Sequence, residues 1–190
     1  VLDVRRRKSH HIIGNRSFSE DHKQVSIMGN ICIKSYSQYN IATVMKHIPG
    51  HGLSKSDSHQ TTPIIKSKSS ELINKDFQSF KKCKPFFAMT AHIIYEKYDL
   101  KNTATHSQTI IKKIIRNYIN FKGILISDDI SMKSLKYDIK ENATRALKAG
   151  CNIILHCNGK LNEMKKLSKI IPNIDKFTQK KTSQFYKFLG

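Results

Sequence analysis

Polar and apolar positions along this chain follow two periods in turn. Ile41–His47 (IATVMKH) is β-branched and apolar and reads as a buried strand. A loop rich in Gly, Ser and His follows, from Ile48 to about Lys68. Ser70–Phe80 reads as a helix, with Ser69 or Ser70 placed to cap it. Phe86–His92 (FFAMTAH) is a second buried strand. Thr109–Asn120 is a helix in which Ile110, Ile111, Ile114, Ile115, Tyr118 and Ile119 form one stripe, with lysines and Arg116 opposite. Gly123–Asp128 (GILISD) is a third strand, and Ile139–Ala149 a helix stopped by Gly150 in the C-cap place. Asn152–Cys157 (NIILHC) is a fourth strand, followed by a helix over Leu161–Ile171 that Pro172-Asn173 breaks. A last helix runs from about Asp175 to Phe188, and Val1–Val4 reads as the end of a further strand.

Repeated strand–helix units with continuously apolar strands predict an α/β fold, a parallel sheet covered by helices. An open doubly wound sheet and a (β/α)8 TIM barrel both satisfy the pattern. Lys46-His47, His92 and Asp128-Asp129 stand at the C-terminal ends of successive strands. A barrel gathers such ends at one mouth, whereas an open sheet concentrates its site at one switch point, so the spread favours the barrel. A barrel usually needs ~250 residues, so this one is expected to be incomplete, with about the last five strands present. The whole chain, residues 1–190, is then one partial catalytic barrel. Made alone, it is expected to be inactive and poorly behaved. Its outer strands would be left unpaired, and Val44, Phe87, Ile124 and Ile154 would lose apolar neighbours.

Composition changes this picture little. No apolar run approaches the ~18–20 residues that cross a bilayer, and VLDVRRRKSHH lacks the apolar stretch of a signal peptide. Cys32, Cys83, Cys151 and Cys157 form no CxxC pair and no dense framework, which points to a reducing cytoplasm. The formal charge of +20 raises nucleic-acid binding as an alternative. However, the lysines are spread through KSKS, KKCK, IIKKIIR and KLNEMKKL with no stripe interleaved with aromatics, as expected of solvated helix faces. No specific nucleic-acid partner and no membrane partner are expected.

Candidate chemistry concentrates in two segments. KHIPGHGLSKSDSHQTTP, Lys46 to Pro63, follows a strand and carries three histidines, two lysines and an aspartate. Pro49-Gly50 and Gly52 let the backbone turn sharply. Asp57 and His59 are two apart, so a short turn can hydrogen-bond the carboxylate to one ring nitrogen and raise the histidine's proton affinity. Such a pair can serve as general acid and then general base. A merely polar loop with helix-capping histidines, and a zinc site from His47, His51 and His59, are the competing readings. The H-x-G-H motif of nucleotidyl transferases fails, because His47 and His51 are four apart. In the second segment, ISDDISM, two adjacent carboxylates end a buried strand, which is costly unless they are hydrogen-bonded or functional. Asp128 suits attack on an anomeric carbon, and helix capping is the alternative.

Five strings, these two segments among them, carry a resemblance to one family. VLDV with IGNRSFSED, then KHIPGHGLSKSDSH, AMTAHIIY, SDDISM and AGCNIILHCN occur in order between Val1 and about Asn158. Together they resemble the bacterial β-N-acetylhexosaminidases of glycoside hydrolase family 3, the single-domain kind that serves peptidoglycan recycling. The resemblance implies a (β/α)8 barrel with Asp128 as nucleophile, His59 as acid/base and Asp57 as its partner. Arg16, Lys46 and His47 match sugar-binding positions, and Asp129 is supporting rather than chemical. Three more strands would precede VLDV, Ile48 replaces the usual Phe, and the last helix matches weakly. No cofactor or metal is implied. The substrate would be a small carbohydrate, an N-acetylglucosaminyl muropeptide or chitooligosaccharide, cleaved in the cytoplasm by a protein that is monomeric when full length. A phosphorylase with the same dyad, and a basic binding module on an old hydrolase scaffold, are the rival functions. Intact Asp57, His59 and Asp128 speak against the second.

Overall fold

Alternating apolar strands pair edge to edge in the computed structural model, which describes residues 1–7 and 10–190. Four strands, β1 (Val44–Ile48), β3 (Phe87–Thr90), β5 (Ile124–Asp129) and β6 (Ile153–Leu155), form one parallel sheet in the order β1-β3-β5-β6. β2 (Ile64–Ile65) and β4 (Ile94–Tyr95) make a second, two-stranded parallel pair. The four-stranded sheet is an open arc: β1 and β6 each pair on one side only. Val1–Val4 is not a regular strand, contrary to expectation. It still runs beside β1, where the Leu2 amide donates to the Lys46 carbonyl at 2.8 Å.

Side-chain alternation explains the two faces of the arc. Met45, Ala88 and Leu125 lie in one register row and are buried under the helical layer. Val44, Phe87 and Ile124 form the adjacent row on the opposite face. There Ile124 is buried, Phe87 and Ile154 are half-buried, and Val44 is 40% exposed. The four residues expected to form core therefore divide, because an open arc covers its inner face only in part. The last helix supplies some of that cover: Phe185 and Phe188 of α6 (Lys176–Leu189) pack on Phe86 and Phe87.

Most helices fall where periodicity places them, with informative differences. The expected helix over Ser70–Phe80 is a continuous run of α2 (Ser69–Glu71), a π-turn (Leu72–Asp76) and α3 (Phe77–Lys81). Its N-cap is Lys68, without a side-chain bond, so neither Ser69 nor Ser70 caps it. Ile110–Tyr118 is a π-helix that buries Ile110, Ile111, Ile114 and Ile115. Arg116 does not join the solvated lysines. It donates to the carbonyls of Phe121 and Gly123 and to Asn152 Oδ1, three acceptors that together hold a half-buried guanidinium. α4 (Ile139–Ala149) starts on Asp138, whose carboxylate accepts from the Lys140 and Glu141 amides, and stops at Gly150 with φ 118°. α5 (Leu161–Ser168) ends short of Ile171, leaving Ile170 and Ile171 partly exposed. α1 (His22–Ser37), capped by Asp21, was not expected at all. No helix among the described residues is long and apolar enough to cross a membrane.

Gly52 marks a close approach that seats the loop after β1. A Cβ there would lie 1.9 Å from the Val4 carbonyl oxygen. Gly52→Ala is therefore expected to destabilise the fold by about 1–3 kcal/mol or more, since backbone rather than a flexible side chain must move. Equilibrium unfolding checks this. A loss below about 0.5 kcal/mol, the usual scale of a neutral surface change, would mean the contact is relieved.

Candidate active site

Parallel pairing brings the C-terminal ends of β1, β3, β5 and β6 to one side of the sheet. The two ends that carry the candidate chemistry both break register, between Met45 and Ile48 and between Ile126 and Asp129. Such irregularities re-aim side chains at the rim of a sheet.

Asp3 is the buried anchor of the β1 end. It is fully buried, yet its carboxylate accepts from the His47 amide, from His47 Nδ1 at 2.8 Å and from the His51 amide at 2.7 Å. Burial pushes its pKa up, but His47 and the His51 amide outweigh that, and the net shift is downward. An ionised carboxylate can only accept, so His47 Nδ1 carries a proton and Nε2 is the nitrogen left for other contacts. Sequence reading passed over Asp3, although VLDV sets a lone carboxylate between apolar neighbours, a signal of a charge buried with partners.

His51 links this anchor to the loop. Burial drives its pKa down to about 4 despite nearby Asp3, so it is neutral at pH 7. Its Nε2 contacts Ser58 Oγ at 3.1 Å, and Ser58 is buried. Asp57 and His59 flank that buried serine. His59 donates from its amide and from Nδ1 to Asp57 Oδ1, both at 2.8 Å, so the expected carboxylate–imidazole bond is present. These bonds, with the His59 amide foremost, lower the Asp57 pKa against a small burial effect. The His59 side chain is 59% exposed.

Asp128 stands at the C-terminal end of β5, one residue before its last. Its Oδ1 accepts from the Asp129 amide at 2.8 Å, and its own amide donates to Thr90 Oγ1 at 3.4 Å. Asp129 instead accepts from Ser131 and from the Cys157 amide, tying the β5 end to the turn after it and to the end of β6. Asp128 acts electrostatically on both His51 and His92, and the His92 ring bonds the carbonyl of the next residue, Asp129, at 2.9 Å.

The sequence-predicted set is thus only partly gathered. Asp128 stands near the His51–His92 side, and His47 and His51 rings are 5.4 Å apart. Among the described residues, no hydrogen bond or ion pair joins His59 to Asp128. Lys46 is half-buried, its side chain making no hydrogen bond among the described residues. Arg16 is exposed at the end of a short 3-10 turn, Gly14–Arg16. The rings of His47, His51 and His59 each point to a separate partner, Asp3, Ser58 and Asp57. A cavity of about 520 Å³ adjoins the loop at Gly52, lined by Arg5, Arg6, Arg7, His10 and Glu20 but not by Asp128.

Comparison with known proteins decides the family. Residues 1–184 match the Glycosyl hydrolase family 3 N terminal domain. The chain belongs to glycoside hydrolase family 3. Within that family it is 35% identical over 152 residues to a beta-hexosaminidase of Actinobacillus pleuropneumoniae serotype 3, covering 77% of this chain and 44% of the relative. It is 36% identical over 152 residues to the beta-hexosaminidase of Haemophilus influenzae strain Rd, covering 77% and 43%. The chain spans less than half the length of these curated relatives. Among solved structures, NagZ from Neisseria gonorrhoeae in complex with N-trifluoroacetyl-D-glucosamine superimposes with a TM-score of 0.84 at 27% identity, covering 99% of this chain and 53% of that one. The four-stranded arc is accordingly part of a TIM-barrel-type family 3 domain.

Proposed function

We propose that the whole protein is a retaining glycoside hydrolase that removes terminal β-linked N-acetylglucosamine, with the 190 residues forming part of one catalytic barrel. The observation that carries this reading is the Asp57–His59 bond, on the loop after β1 of a family 3 chain that carries Asp128 at the C-terminal end of β5, one residue before its last. Beta-hexosaminidase relatives, and a solved neighbour that holds an N-acylated glucosamine, support the substrate class.

The chemistry follows from the groups available. Asp128 Oδ2, which has no hydrogen bond among the described residues, attacks the anomeric carbon as the glycosidic bond breaks. His59, with Nδ1 held by Asp57, gives the proton on Nε2 to the leaving oxygen. A glycosyl ester of Asp128 results. His59 then takes a proton from water, which attacks the anomeric carbon and frees Asp128, with retention of configuration. Two carboxylates normally share this work, and here an Asp–His dyad replaces one of them. His47 Nε2, Lys46 and Arg16 are assigned to the sugar. The natural substrates are muropeptide or chitooligosaccharide fragments met in the cytoplasm, and the protein works as a monomer.

The test is release of the chromophore from an aryl β-N-acetylglucosaminide by the whole protein. Turnover is expected, unchanged by a chelator and by added inorganic phosphate. Loss on chelation that zinc restores would sink the metal-free mechanism, and a sugar 1-phosphate product would make the protein a phosphorylase.

A further inference from the structure

Behind Asp128 lies a closed set of hydrogen bonds made by three fully buried polar side chains, Thr90, His92 and Thr105. Thr90 Oγ1 accepts from the Asp128 amide at 3.4 Å and meets Thr105 Oγ1 at 2.8 Å. Thr105 Oγ1 meets His92 Nδ1 at 2.7 Å, and His92 Nε2 reaches the Asp129 carbonyl at 2.9 Å. Proton positions follow from chemistry. A carbonyl only accepts, so Nε2 carries hydrogen. Burial holds the His92 pKa below its usual value in spite of Asp128, so the ring is neutral and Nδ1 accepts. The Thr105 hydroxyl therefore donates to Nδ1 and accepts from the Thr90 hydroxyl, whose oxygen receives the Asp128 amide. The Ala91 carbonyl, 3.2 Å from Thr105 Oγ1, is a second acceptor for that one hydroxyl proton, and His92 Nδ1 at 2.7 Å is the nearer.

This ring grips the main chain on both sides of the Asp128–Asp129 peptide. Buried polar networks are costly when partly satisfied and rigidifying when complete. With the Asp128 amide and the Asp129 carbonyl both held, and Oδ1 engaged by the Asp129 amide, the remaining oxygen has a fixed origin and direction. We infer that His92 is a positioning residue for the nucleophile, holding the peptide from which the Asp128 carboxylate projects. This rests on the function proposed above.

The experiment is steady-state kinetics of the whole protein on an aryl β-N-acetylglucosaminide, with unfolding curves for each variant. His92→Asn keeps a polar atom near Nδ1 but cannot reach the Asp129 carbonyl. His92→Gln places an amide donor near Nε2. The kcat of His92→Asn is expected to fall roughly 10- to 100-fold, the scale of a sub-ångström to 1 Å misplacement of a reacting group, with KM little changed. His92→Gln is expected to recover most of that loss, and the pH profile to keep its shape, since His92 transfers no proton to substrate. Thr105→Val, which removes the other arm, is expected to lower kcat severalfold. It tests the network should His92→Asn fail to fold. A folded His92→Asn, or Thr105→Val, with kcat near the unsubstituted value would overturn the inference, as would His92→Gln no better than His92→Asn. An inactive unsubstituted protein, or an active Asp128→Asn, would overturn the functional reading and this inference together. Dead Asp128→Asn beside an unimpaired His92→Asn overturns the inference alone.

Discussion

Asp128→Asn in the whole protein is expected to abolish hydrolysis of an aryl β-N-acetylglucosaminide while leaving the fold intact. The loss should be on the order of 10⁴-fold or more in kcat, the scale seen when a nucleophile that works as part of a unit is removed. An amide is nearly isosteric with a carboxylate, and its Oδ1 can still accept from the Asp129 amide as Asp128 Oδ1 does. It carries no negative charge to stabilise an oxocarbenium-like transition state and forms no ester with the sugar. Asp128 is only half-buried and has no ion-pair partner among the described residues, so its neutralisation strands no opposite charge. Unfolding midpoints within a degree or two of the unsubstituted protein should accompany the loss. Residual activity of a few per cent, free of contaminating enzyme, would assign the nucleophile elsewhere.

How far the sequence could be read depended on whether local pattern and tertiary burial agree. They agree in α4, where the Asp138 cap and the Gly150 stop are both local devices, and in the Ile110–Ile115 stripe. They disagree in α1. Its buried positions are Val25, Ser26 and Gly29, while Ile27 and Ile31 are each 51% exposed. The helix docks by closeness rather than by an apolar stripe, with Gly29 set against Leu2 and Cys83, so periodicity had nothing to find. Arg116 was misplaced for a related reason. Its acceptors are carbonyls of the turn before β5 and Asn152, partners that exist only after folding. At the site, the Asp57–His59 bond was legible because both residues lie within one turn. Asp3 and the Thr90–His92–Thr105 ring were not, because their partners stand 44 to 48 residues apart in one case and 13 to 38 in the other. Short-range chemistry is written in the sequence; a charge or network satisfied across strands is visible only in the fold.

His59→Ala should separate substrates by their leaving groups. A general acid matters in proportion to the proton demand of the departing oxygen, and contributes typically ~10²–10⁴-fold where that demand is full. For a chitooligosaccharide, whose leaving alcohol is a poor one, kcat/KM should fall within that range. For a dinitrophenyl glycoside, which departs readily as an anion, cleavage should be slowed little, and the slow step should become hydrolysis of the glycosyl ester, where His59 acts as base. A burst of phenolate followed by a slow steady state is the expected signature. Added azide, a nucleophile that needs no base, should restore the steady rate and yield a glycosyl azide of retained configuration. The structure makes this variant clean: the side chain is largely exposed and its one hydrogen-bond partner among the described residues is Asp57 Oδ1. Asp57 is half-buried, but its Oδ1 also accepts from the amide of residue 59, so the carboxylate keeps a partner when the imidazole is lost. Loss of activity therefore should not track loss of stability. Equal slowing of activated and unactivated substrates, with no burst and no azide rescue, would show that His59 does not carry the proton and that the dyad merely shapes the loop.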